Sequence, residues 1–227
     1  MLPLRDRAPT RSFPIVTIGL IAVNFLVWWR ELQARPIEVD RYSFYPCSVS
    51  GPCVGVAKRH VEPLESAVTS MFMHASWAHI LGNMLFLWIF GNNVEDMLGR
   101  GRFLAFYLVS GLVATAGQTI VTLHFASTAA ASVPNLGASG AIAGVLGAYF
   151  LMLPGAKILT LVVVFPIEVP AVVFLGLWFL LELWEGDFSL THPSNGGGVA
   201  FFAHITGFVF GVVTVRALVR NPPLEPT

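Results

Sequence analysis

The sequence predicts an all-α membrane protein: a bundle of six transmembrane helices with both termini on the cytoplasmic side. Three observations lead there. Only 11% of the 227 residues are charged while 55% are hydrophobic, against roughly 25% charged in a soluble domain, and no soluble fold hides that much apolar surface. The charges that exist leave long gaps between them. Finally, Lys and Arg gather in alternate connections, the bias that orients a multi-pass chain. With 13 basic and 13 acidic residues, the chain has neither a basic field for nucleic acid nor the acidic excess of a disordered segment.

Uncharged runs cover Ser12–Trp29, Ser66–Val94, Phe103–Ala156 and Phe188–Val215. A helix needs about 20 apolar residues to cross a hydrocarbon core about 30 Å thick. The 54-residue run from Phe103 therefore holds two spans, jointed at the small and polar stretch Ala126–Asn135. A further span fits between Pro170 and the group Glu182, Glu185 and Gly186. The predicted helices are 14–30, 78–92, 103–124, 139–153, 169–185 and 200–219, with a long outer loop at 31–77, and together they form one membrane domain over 1–227. The apolar run Ile158–Phe165 is too short to cross. It reads as a buried or interfacial lead-in to the fifth helix, separated from it by the Pro166–Pro170 break. The first helix follows Arg5, Arg7 and Arg11 as a signal peptide would, but it ends in Trp28-Trp29-Arg30-Glu31-Leu32, an interfacial anchor without a small-residue cleavage site.

With the amino terminus inside, the inner segments hold Arg5, Arg7, Arg11, Arg100, Arg102, Lys157, Arg216 and Arg220, and the outer segments after Ala75 hold no Lys or Arg. The first outer loop carries Arg30, Arg35, Arg41, Lys58 and Arg59, but long loops are weak determinants of orientation. Cys47 and Cys53, the two cysteines of the chain, both fall in that loop. An oxidising exterior permits a disulfide between them, the alternative being two free thiols. A metal pair is disfavoured because no further ligands sit nearby. Pro36, Pro46, Pro52 and Pro63 suit a loop folded against the membrane surface.

Function must come from polar side chains that a bilayer makes expensive: His79 and Asn83 in the second helix, Ser139 at the start of the fourth, His204 in the sixth, and His74 just before the second. Helices two, four and six run from outside to inside, so residues near their starts share one depth. Gly140, Gly144 and Gly147 on the fourth helix and Gly207 and Gly211 on the sixth allow close backbone approach, which would set Ser139 opposite His204. A neutral imidazole within hydrogen-bond reach makes a serine hydroxyl a nucleophile. Gly137-Ala138-Ser139-Gly140 offers unobstructed backbone amides at a helix N-terminus, where a developing oxyanion is stabilised. His79 and Asn83, four apart on one face, have donors that could complete that hole. The plainer readings are that the glycines only pack, that Ser139 is an N-cap, and that His79 and Asn83 are interhelical hydrogen-bond glue worth about 1 kcal/mol.

Taken together these residues resemble the rhomboid intramembrane serine proteases. The matching pattern is His74, His79 and Asn83, then Glu95 and Gly99 after the second helix, then Gly137-Ala138-Ser139-Gly140, then Ala203-His204 followed by Gly207 and Gly211. The resemblance implies an intramembrane serine endopeptidase with Ser139 as nucleophile and His204 as general base. Asn83, His79 and the amides around Gly137 and Ser139 would stabilise the oxyanion, and His74 would stand near the active-site mouth. It implies no cofactor, no metal and no nucleic acid, with single-span membrane proteins as substrates in the lipid bilayer. A cell membrane is expected, the bacterial inner membrane in particular, with the site facing the outer side. No acidic third member is required, and none of Glu182, Glu185 and Asp187 is expected to be buried. The sequence departs from the family pattern at Ala143, where many members place an aromatic that stacks on the base. Phe201, Phe202 and Tyr149 are the candidates to orient His204 instead. A Trp-Arg signature of some members is absent, with Glu65-Ser66 in its place.

Two features bear on access. The loop Asp187–Val199, with Gly196-Gly197-Gly198, lies just before His204 and is expected to cap the serine, and Phe174, Trp178 and Phe179 on the fifth helix are expected to form a side gate, the plainer reading being a flexible connector and lipid-facing aromatics. The competing classes are an inactive rhomboid-like adaptor or chaperone, which would lack the serine or the histidine, and a small transporter, for which mid-membrane charges are expected. A metalloprotease is disfavoured because no His-Glu-x-x-His occurs.

Overall fold

Helices occupy all six apolar segments in the computed structural model, which describes residues 1–55, 62–191 and 200–224. In chain order they are α1 (Ile15–Gln33), short α2 (Pro36–Tyr42) and α3 (Pro63–Ser70) in the long loop, α4 (Trp77–Leu98), α5 (Arg100–Phe125), one-turn α6 (Thr128–Ala131), α7 (Ser139–Met152), α8 (Ala171–Thr191) and α9 (Phe201–Leu218). Among the described residues three of these, α1, α5 and α9, are long and apolar enough to cross a membrane. α7 is a shorter apolar helix whose residues from Gly140 to Tyr149 are all buried in protein. Packed between α5 and α9, it forms the centre of the bundle.

Two helices run well past their predicted ends, α4 and α8, and in both cases a carboxylate taken for a helix terminus faces inward. α4 continues to Leu98, with Glu95 and Asp96 buried in its last turn. Their reason is α1. Pro14 precedes α1 and supplies no side-chain cap, so the orphan amides of the first turn turn to α4: Glu95 accepts the N–H groups of Val16 (3.0 Å) and Thr17 (2.7 Å) and the Thr17 hydroxyl (2.8 Å). Asp96 likewise accepts the N–H groups of Arg11 and Ser12, the Ser12 hydroxyl and the Arg11 guanidinium. The chain after α9 returns to the same place, where the Arg220 and Asn221 amides donate to the Met97 carbonyl. Both termini therefore meet the C-terminal end of α4. The second helix to overrun is α8, which passes Glu182 and Glu185 and reaches Thr191.

The all-α expectation is corrected by a small sheet at that terminal end. Ile158–Phe165 is a β-hairpin, not a lead-in to a helix: β2 (Lys157–Val162) turns at Val163-Val164 into β3 (Phe165–Pro170), and β1 (Leu2–Asp6) pairs antiparallel with the other edge of β2. Short apolar runs of β-branched residues suit a strand once a partner exists, and here β2 has two, β3 across the adjacent turn and β1 at the far amino terminus. Asp6, the last residue of β1, ties the sheet to the bundle by accepting from Asn93 (2.6 Å) and the Tyr149 hydroxyl (2.8 Å). Burial raises its carboxyl above the ordinary range.

The glycines predicted to let two helices touch do so. A Cβ on Gly207 would overlap the Gly140 carbonyl, one on Gly211 the Gly144 carbonyl, and one on Gly147 the Phe208 carbonyl. α7 and α9 thus meet backbone to backbone, the closest approach that small residues permit. The outer loop packs on the opposite end of the bundle from the sheet. Its Cys47 and Cys53 are joined as a disulfide with Cα atoms 5.3 Å apart. The amides of Asn135 and Gly137 donate to the carbonyls of Phe44 and Ser70, so the loop holds the segment that leads into α7.

Candidate active site

At the end of the bundle remote from the termini, the starts of α4, α7 and α9 surround a cavity of about 250 Å³. Its polar side is His79, Asn83, Ser139, Glu182 and His204, and its apolar side includes Phe86, Ile142, Leu146 and Trp178. Ser139 Oγ lies 2.7 Å from His204 Nε2. The glycine seam explains that distance: with no side chains between α7 and α9, residues one turn before the contact are brought within hydrogen-bond reach. Ser139 is the first residue of α7, where backbone N–H groups have no partner inside the helix and carry partial positive charge.

His79 Nδ1 accepts the Ala75 N–H at 3.4 Å, which leaves Nε2 as the protonated nitrogen of a neutral ring. That nitrogen faces Gly137, where a Cβ would collide with it. Asn83 Nδ2 lies 3.0 Å from His74 Nε2. With two N–H bonds, the Asn83 amide spends one on His74 and keeps a second beside the cavity. Among the described residues no group of three or more His, Cys, Asp or Glu side chains is gathered to hold a metal ion.

The sequence pattern of the Rhomboid domain matches residues 62–221. The chain belongs to the rhomboid family. Over 161 residues it is 37% identical to "Rhomboid protein 1, mitochondrial" of Saccharomyces cerevisiae, covering 69% of this chain and 42% of that protein. It is 34% identical over 142 residues to "Presenilin-associated rhomboid-like protein A, mitochondrial" of Danio rerio, covering 62% and 33%. It is 31% identical over 143 residues to "Putative rhomboid protease YdcA" of Bacillus subtilis, covering 63% and 64%. The match thus spans less than half the length of the two mitochondrial relatives. Family and apolar helices together make this rhomboid a membrane protein. The mitochondrial relatives do not support a bacterial inner membrane as its location.

Several residues of this rhomboid stand otherwise than the sequence suggests. His74, expected near the active-site mouth, is buried behind Asn83. It is 3% exposed, packed edge-on against the His79 ring at 5.0 Å, and it backs Asn83. Burial, with His79 beside it, lowers its pKa to about 4, so it is neutral and its Nε2 can accept. The Gly137 N–H points away from the site because the Ser70 carbonyl accepts it at 2.9 Å. Gly137 serves by shape, with φ of +123° and no Cβ to fill the place of the His79 ring. Its glycine identity is legible from the sequence, and the commitment of its amide is not.

Nor is His204 oriented by the residues named as candidates. The Tyr149 hydroxyl is bonded to Asp6 at the other end of the bundle, and Phe201 and Phe202 pack beside Gly186. Instead α8 supplies two neighbours. The Trp178 ring lies 6.1 Å from the imidazole, tilted by 35°, and Glu182 Oε2 lies 2.8 Å from His204 Nδ1, with both side chains only 13% exposed. Sequence reasoning missed Glu182, although Phe174, Trp178 and Glu182 step by four along one helix face. Glu185 and Asp187 are exposed as expected. Of the residues expected to form a gate, Phe174 is buried against Phe90, while Phe179 stacks on Phe208 at 4.5 Å. The expected cap falls largely on residues 192–199, outside the described residues.

Proposed function

We propose that this chain is an intramembrane serine endopeptidase that cleaves single-span membrane protein substrates, using Ser139 and His204. The observation that carries the reading is the 2.7 Å contact between Ser139 Oγ and His204 Nε2 in a cavity that is also lined by His79, Asn83 and Glu182. The hydroxyl proton passes to Nε2 as Oγ attacks the scissile carbonyl carbon. The oxyanion forms beside the Ser139 amide, the free N–H of Asn83 and the Nε2–H of His79. The imidazolium then gives its proton to the leaving amine, and a water activated by the same imidazole hydrolyses the acyl-enzyme. The name "Putative rhomboid protease YdcA" of one relative agrees with this chemistry.

In this reading residues 1–227 form one membrane domain of six spans. The positive charges put both termini in the cytoplasm and the site near the opposite face. A reporter fused after Thr227 is then cytoplasmic and one inserted between Ser127 and Ser132 external; the reverse pattern would invert the topology. The reaction is tested by co-expressing the chain with a labelled single-span substrate and by treating membranes with a fluorophosphonate. Cleavage and labelling at Ser139 are expected, both lost in Ser139→Ala and His204→Ala and both indifferent to chelators. Cleavage that persists in Ser139→Ala would sink the proposal.

A further inference from the structure

We propose that Glu182 is a positioning residue for the base, so that the site works as a Ser139–His204–Glu182 relay whose acid is delivered by α8. This rests on the protease reading and adds to it a member that the two-residue mechanism does not contain. A neutral imidazole carries one N–H. With a carboxylate oxygen 2.8 Å from Nδ1 and a hydroxyl 2.7 Å from Nε2, one tautomer satisfies both contacts: Nδ1–H donates to Glu182, and the Nε2 lone pair accepts from Ser139. The opposite tautomer would place a proton against the serine and leave no base. The carboxylate also faces the positive charge that His204 acquires when it takes the serine proton.

Position supports the assignment. Glu182 is mostly enclosed although it lies on a helix whose neighbours Leu180, Leu181 and Leu183 are exposed, and an enclosed carboxylate in an apolar setting is costly without a partner. Its partner here is the proposed base. The place that an aromatic on α7 would take over the imidazole is held by Ala143, which lines the cavity with no bulk, and Trp178, one turn before Glu182, stands beside the ring. Both restraints on His204 therefore come from α8, while the nucleophile comes from α7.

The test compares wild type, Ser139→Ala, Glu182→Gln and Glu182→Asp as full chains in proteoliposomes, reading kcat, KM and thermal midpoint with a fluorogenic transmembrane peptide. Gln keeps the shape and removes the charge. The expected result is a loss of kcat on the order of 10²-fold in Glu182→Gln, with KM and midpoint unchanged and a part of kcat regained in Glu182→Asp. Wild-type kcat in Glu182→Gln, or a loss shared equally by KM and midpoint and by both variants, would overturn the role of Glu182 while leaving the protease intact. If wild type turns over no faster than Ser139→Ala, the protease reading falls and the relay with it.

Discussion

At the terminal end of the bundle the Glu95 carboxylate accepts three hydrogen bonds and that of Asp96 four, from backbone amides and side chains of the segment that opens α1. At the other end Asn83 is bonded to His74 and Ser139 to His204, and both face open volume. All of these residues are expensive in an apolar protein, the carboxylates most of all, and the two ends treat them in opposite ways. At Glu95 and Asp96, which tie the start of α1 to α4, the carboxylate oxygens are all engaged, and a buried unpaired donor or acceptor there would cost about 1–3 kcal/mol. Where a reaction is proposed, donors are left aimed at a space that an oxyanion would fill. Saturation therefore marks these two structural carboxylates, and donors left facing a cavity mark the proposed site.

Substitutions can break this contrast. The largest effect expected is on turnover in Ser139→Ala, a fall of more than about 10⁴-fold with no change in thermal midpoint, since the hydroxyl serves the reaction and not the fold. A measurable loss of midpoint would blur the distinction between the two ends. Glu95→Ala should do the reverse. It strands the Val16 and Thr17 donors and should cost about 3–5 kcal/mol of stability, seen as a lower unfolding midpoint in detergent, while the fraction still folded reacts with fluorophosphonate at the wild-type rate. Asn83→Ala comes next, with a rate lower by about 10² to 10³, the scale of one oxyanion donor, and some fluorophosphonate labelling retained. Wild-type rates there would make Asn83 glue after all.

The smallest effect sharpens the comparison through pH. His74 has a folded pKa of about 4 below the unfolded value of about 6.5, so within that window the unfolded chain binds more protons. Its contribution to stability is complete above pH 6.5 and is lost as pH falls toward the folded value, by about 1 kcal/mol at pH 5.5. Midpoints recorded between pH 7.5 and 5.5 should fall less steeply in His74→Gln than in wild type. Equal slopes would mean that the pocket behind Asn83 is open to protons.

What could be read in advance follows from which forces act locally. The six apolar segments and the glycine spacing are properties of single helices, and Ser139, His204, His79 and Asn83 emerged as the costly polar residues on them. The sheet was illegible because a short apolar run has no periodicity of its own, and because one of the two partners of β2 lies more than 150 residues away in the chain. Glu95 and Glu182 were misread for a common reason: a carboxylate near the end of an apolar run looks like a helix meeting water. Its actual partner, the first turn of α1 in one case and His204 in the other, is visible only once the helices are packed.

The capping of α1 has a consequence for biosynthesis. This helix is made before α4, yet the acceptors for its opening turn lie on α4, 79 and 78 residues further along the chain. While the intervening loop is being translated, the amides of Val16 and Thr17 have only water or lipid headgroups to answer them. α1 can insert early by its hydrophobicity, but its depth and rotation are settled when Glu95 emerges and docks. The carboxylate thus acts as a latch that closes on a segment already in the bilayer, and α1 joins the bundle no earlier than α4 does.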